Sequence, residues 1–131
     1  MTIEVSRDVM LAMGRLARKT LPLEACGILT GSGDHITGLI ETDNVHPAPS
    51  THFEIDPQAL IDAHREARQG GPPIIGYFHS HPVGLAQPSA MDKLMSAGDG
   101  MIWAIATKRE IGLFRAVEGG FEELCTQTLE G

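Results

Sequence analysis

The chain has 131 residues, 42% of them hydrophobic and 21% charged, a composition that specifies a folded soluble domain and excludes a disordered chain. Its length supports one hydrophobic core, so a single domain over residues 1–131 is expected. The formal net charge of −7 argues against nonspecific nucleic-acid binding and against docking on an anionic membrane, and no apolar run approaches the length of a membrane span.

The N-terminal stretch MTIEVSRDVM lacks a basic segment followed by an apolar one, so it does not read as a signal peptide. The expected compartment is the cytoplasm, with Cys26 and Cys125 as free thiols. A first helix is predicted from about Arg7 to Lys19, with Ser6 as N-cap and Val9, Met10, Met13, Leu16 and Ala17 as its apolar stripe. Pro22 prevents that helix from continuing. Ala25 to Thr30 reads as a buried strand, Gly31 to Asp34 as a turn and His35 to Thr42 as the returning strand.

Asn44 to Thr51, with Pro47 and Pro49, reads as a loop, and His52 to Ile55 as a short strand. Asp56-Pro57 is a strong helix start, and that helix is expected to run to about Gln69 with Leu60, Ile61, His64 and Ala67 on one face. Pro73 to His79 reads as a central strand, and a short helix is expected from Ser89 to near Gly98. Met101 to Thr107 and Ile111 to Val117 read as strands, then a turn at Glu118-Gly119-Gly120 and a last strand from about Phe121. Helices interleaved with strands, some close enough for hairpins and some not, define an α/β chain with a mixed sheet.

The segment GYFHSHPVGLAQPSAMD carries the chemistry. His79 and His81 are two apart at a strand end, so both imidazoles point to one face. Ser89 and Asp92 are three apart in a first helical turn and share a helix face. Ser89-x-x-Asp92 also has the form of a capping box, with Asp in place of the usual Glu. Two imidazoles and one carboxylate are a normal set of protein ligands for a hydrolytic zinc that keeps a position open for water. Such a site needs a general base that is not a ligand. Glu24, Glu41, Glu54 and Asp56 are candidates; Glu24 is favoured because it abuts a buried strand, where a charge needs a partner or a task.

Glu24, His79-Ser80-His81-Pro82, Pro88-Ser89 and Asp92 together resemble the JAMM-type (MPN-plus) zinc metallopeptidases, whose signature is an upstream Glu and then H-x-H-x7-S-x-x-D. LPLEACGILTG, HFEIDP and IIGYFHSHP resemble the corresponding segments of that family, and the similarity runs from about residue 3 to 117. The resemblance implies a curved mixed sheet between helices, related to the cytidine-deaminase-like architecture. It implies that His79, His81 and Asp92 bind one Zn2+, that Glu24 is the general acid/base, and that the Ser89 hydroxyl holds the oxyanion. It further implies hydrolysis of a peptide or isopeptide bond after the C-terminal Gly-Gly tail of a ubiquitin-like protein. The chain is similar to the compact stand-alone bacterial members, which implies a sulfur-carrier protein as partner.

Two other functions share these residues: an isopeptidase of a bacterial ubiquitin-like conjugation system, and a metal-free MPN scaffold, which the complete ligand set disfavours. A zinc deaminase would need H-x-E with P-C-x-x-C, and neither is present. Cys26 reads as a small buried hydrophobe, although its two-residue offset from Glu24 admits a place near the metal. Trp103 reads as core before pocket wall. Strand Met101–Thr107 and loop Val83–Gln87 are candidate walls for a tail that adds to a sheet edge.

Overall fold

A computed structural model describes residues 2–129. The elements in chain order are β1 (Thr2–Ser6), α1 (Arg7–Lys19), β2 (Cys26–Ser32), β3 (His35–Thr42), α2 (Pro57–Arg68), β4 (Ile74–Ser80), α3 (Ala90–Met95), β5 (Ile102–Ala106), β6 (Ile111–Val117) and β7 (Gly120–Leu129). The strands form one mixed sheet in the order β1-β3-β2-β4-β5-β6-β7, which closes because β1 pairs in parallel with both β3 and β7. The expected mixed sheet with helices is therefore present, and its curvature is carried through to a closed barrel. β1 was not anticipated. Its signal is the alternation of Ile3 and Val5, both fully buried, with the exposed Thr2 and Glu4.

The main core lies between α1 and the sheet. Val9, Met13, Leu16 and Ala17 of α1 pack with Ile3, Val5, Leu29, Phe78, Ala104 and Leu113. The stripe follows the 3.6-residue period of the predicted helix. Ser6 stands at the N-cap position but makes no side-chain capping bond. On α2 the Asp56 carboxylate accepts from the Gln58 amide, as the Asp-Pro start requires.

A smaller core sits under α2, where Ala63 packs with Cys26, Ile28 and Ile55. The inward face of α2 is Leu60, Ala63 and Ala67, while Ile61 and His64 are exposed, which corrects the expected face. The expected strand His52–Ile55 is also absent; only an isolated bridge joins Ile55 to Asn44. The Asn44 side chain takes the backbone bonds a strand would have made, accepting from the His46 and Glu54 amides. α3 ends at Met95 rather than near Gly98, because Ser96 turns to an extended ψ of 134°.

β5 lies between β4 and β6 and pairs with both, so it offers no edge to an added strand. Closure removes the edges a sheet would otherwise present. A tail cannot pair with this strand, so Met101–Thr107 can serve a tail only as a wall.

Candidate metal centre

β4 is flanked by β2 and β5, and the register sets His79 against Cys26 on one side and Ile105 on the other. This brings the end of β4 to one end of the barrel. His81 lies just past the strand, yet its amide still donates to the Ala106 carbonyl at 2.8 Å. Both side chains consequently face the same way. α3 then returns the chain so that its one buried residue, Asp92, meets them.

The convergence is close. His79 Nε2 and His81 Nε2 are 3.1 Å apart, and Asp92 Oδ2 is 3.1 Å from each. Ligands held about 2.0–2.1 Å from a tetrahedral ion sit roughly 3.3 Å from one another, so this triangle fits zinc. The His81 Nδ1–H donates to the Leu85 carbonyl at 2.8 Å, which leaves its Nε2 lone pair facing the cluster. Among the described residues the buried His79 Nδ1 has no partner, and the His79 ring nitrogens bond only within the cluster. Three mutually facing acceptors need a cation between them, and these three residues have the geometry to hold a metal ion.

Electrostatics agree with that chemistry. Burial is the largest influence on His79 and holds its pKa below the usual imidazole value, which favours the neutral form that ligates. Burial opposes the charge of His81 as well, but its hydrogen bonds to Asp92 and Leu85 outweigh that and raise its pKa. Burial would raise the pKa of Asp92, yet hydrogen bonds from both imidazoles hold the carboxyl well below the ordinary range.

Ser89 and Asp92 form the capping box in full. The Ser89 Oγ accepts from the Asp92 amide at 3.0 Å, and Asp92 Oδ2 accepts from the Ser89 amide at 2.9 Å. The two alternatives for this pair are one structure: the cap fixes the rotamer that aims Asp92 at the imidazoles. Because the Ser89 oxygen only accepts in the cap, its hydroxyl hydrogen remains available.

Glu24 is 6% exposed, and the other three carboxylates considered as bases are not buried. Asp56 is occupied in capping α2, and Glu41 and Glu54 are exposed. Burial pushes the Glu24 carboxyl up to about 7; the His81 charge lowers it and the Asp92 charge raises it. The backbone around Glu24 is held on both sides. Its amide donates to the Pro49 carbonyl at 2.8 Å and its carbonyl accepts from Asn44 Nδ2 at 3.1 Å. The next amide, Ala25, donates to the buried Ser80 Oγ at 2.7 Å. Sequence reasoning assigned nothing to Ser80 or Asn44. Ser80 could have been singled out from its place between two histidines on one face, since strand alternation turns its side chain to the opposite, buried face, where a hydroxyl needs a partner.

Phe53 stacks on the His79 ring at 4.2 Å, and Trp103 meets both rings edge-on, at 5.7 Å from His79 and 6.1 Å from Phe53. Trp103 is therefore core and wall at once. Phe53 and Trp103, with Ile55, Leu60, Tyr77 and Met95, line a largely apolar cavity of about 350 Å³. The Cys26 thiol points away to donate to the Asp43 carbonyl at 3.5 Å, and Cys26 packs in the smaller core.

Comparison with known proteins agrees with this architecture. Residues 6–118 match the family described as prokaryotic homologs of the JAB domain, and the chain belongs to that family. A curated relative, the desampylase of Haloferax volcanii, is 30% identical over 105 residues, covering 78% of this chain and 76% of its own. The CysO-cysteine peptidase of Mycobacterium tuberculosis is 28% identical over 126 residues, covering 91% of this chain and 86% of its own. Among solved structures, protein DSY2949 of Desulfitobacterium hafniense superposes with a TM-score of 0.85 at 30% identity, covering 100% of this chain and 94% of its own. AF2198, a JAB1/MPN domain protein of Archaeoglobus fulgidus, shares the fold with a TM-score of 0.64 at 20% identity, covering 96% of this chain and 98% of its own.

Proposed function

We propose that this chain is a zinc-dependent peptidase of the JAMM type that hydrolyses the bond after the C-terminal Gly-Gly tail of a ubiquitin-like protein, and that its substrate is a sulfur-carrier protein. The observation that carries this reading is the 3.1 Å triangle of His79, His81 and Asp92, with a buried Glu24 carboxyl close enough to feel the charges of His81 and Asp92. The peptidase and desampylase names of its relatives support the substrate class. A cytoplasmic setting suits the two free thiols, and no helix is long and apolar enough to cross a membrane.

His79, His81 and Asp92 are the residues to hold the ion. Zinc bound there supplies a Lewis acid that makes water a nucleophile near neutral pH. Glu24 accepts the proton of the attacking water, for which a carboxylate with a pKa of about 7 is well matched to the working pH. It then delivers that proton to the departing amine. The free hydroxyl hydrogen of Ser89 donates to the oxyanion that develops at the scissile carbonyl, a contribution of about 3 kcal/mol where water is excluded. Asn44 holds the Glu24 carbonyl, and Ser80 of β4 holds the adjoining Ala25 amide.

The test is Glu24→Gln. The variant should retain stoichiometric zinc and lose about a thousandfold or more of turnover on a ubiquitin-like carrier with a C-terminal extension. A wild-type rate in the variant removes Glu24 from this role.

A further inference from the structure

α3 is inverted. Its single buried residue is a carboxylate, while Met91, Leu94 and Met95 lie on its outer side, Leu94 at 78% and Met95 at 66% exposure. These positions are i, i+3 and i+4, so they form one stripe. The loop that joins the ligands His81 and Asp92 continues it with Val83 at 90% and Leu85 at 63% exposure. Half of the ten large hydrophobics most exposed among the described residues thus fall within one segment, 83–95. A contiguous apolar surface of this kind marks an interaction site.

The surface is continuous with the metal centre. Met95 lines the same cavity as Phe53 and Trp103, which pack against the His79 ring. Leu85 supplies the carbonyl that holds His81. Any macromolecule seated on the stripe stands over the entrance to the ligands. A permanent partner, a second copy of this chain included, would obstruct the site, whereas a protein that delivers its own tail into the site must cover this ground.

On the proposed function, we infer that the outer face of α3 and the loop 83–87 dock the folded body of the ubiquitin-like substrate through an apolar patch on that body. The tail then runs from the docked body to the metal centre. Apolar docking also suits a chain whose net charge of −7 repels an acidic carrier at long range.

The experiment compares two substrates on the zinc-loaded enzyme: a panel of ubiquitin-like sulfur carriers extended beyond Gly-Gly, and a short peptide of the same tail and extension. Leu94→Glu should raise KM for the cleaved carrier about tenfold or more with kcat unchanged. Peptide cleavage should not change. Leu94→Gln, which adds no charge, should show a smaller rise in the same direction, and unfolding temperatures report that both variants are folded. An unchanged KM for the carrier, or an equal loss on carrier and peptide, overturns the docking surface while leaving the peptidase intact. If the wild-type enzyme cleaves neither substrate, the proposed function fails and the docking surface with it. A wild-type dimer that Leu94→Glu converts to monomer in sedimentation assigns the face to a second copy and overturns the proposal.

Discussion

Asp92 shows how one side chain satisfies two demands. Its Oδ2 accepts the Ser89 amide at the start of α3 and also faces both imidazoles. Asp92→Asn keeps an acceptor for the cap but loses the charge, so it should fold with little loss of stability and fail to retain zinc after dialysis; metal analysis checks this. Glu24 carries a pH signature of the opposite sign to a paired carboxylate. Its folded value of about 7 lies above the ordinary 4.5, so between these values the folded state binds more protons than the unfolded one. Stability from this group is accordingly lost as pH rises from 4.5 through about 7. In metal-free protein, Glu24→Gln should unfold at a higher temperature than wild type at about pH 8, a gain of about 1–3 kcal/mol, and should lose that advantage near pH 4. Thermal scans at the two pH values check it. His81 has a raised pKa in the metal-free site, and its proton competes with the ion. Apparent zinc affinity should therefore fall from about pH 8 to about pH 6, as read by competition with a chelator.

At the scale of elements, the sequence was most legible where local chemistry decides the structure. α1 and α2 follow from apolar spacing and from an Asp-Pro start, and β3 and β6 have the residues expected of them. The segment 52–55 was not legible as coil because Phe53 and Ile55 alternate as in a strand. What holds it is the Asn44 side chain and the stack of Phe53 on His79, which are tertiary contacts. The convergence of His79, His81 and Asp92 was legible because strand alternation and a helix first turn each fix a face. The clamp around Glu24 was not, since Asn44 reaches its carbonyl from 20 residues away and Ser80 holds the next amide, Ala25, from 55 residues away. The loop 83–87 also depends on a distant element. A Cβ at Gly112 of β6 would collide with the Ala86 carbonyl, one residue beyond the Leu85 carbonyl that holds His81. Gly112→Ala should thus displace that loop and weaken zinc binding by about 10–100-fold, measured by the same chelator competition.

For the molecule as a whole, the closing strand is the part that sequence patterning conceals. β1 is five residues long and pairs with β7, its partner residues running from Cys125 to Leu129 at the far end of the chain. No local pattern announces such a pairing, whose partners meet only once the rest of the sheet has formed. Ile3 is fully buried in the main core, so Ile3→Ala should cost about 2–4 kcal/mol in urea unfolding without altering zinc content. β1 lies largely outside the span matched by the family model, as does β7, whereas every residue of the metal centre lies inside it. The barrel thus brings His79, His81 and Asp92 together at one end of β4 in an arrangement that could hold a metal ion, with the buried Glu24 carboxyl within reach of their charges. The most direct test is cleavage of a panel of ubiquitin-like carriers bearing C-terminal extensions, read by intact mass with zinc supplied or chelated. Zinc-dependent release at the Gly-Gly boundary, abolished by Glu24→Gln, is the expected result. A protein that binds no zinc and cleaves none of the carriers would contradict the account.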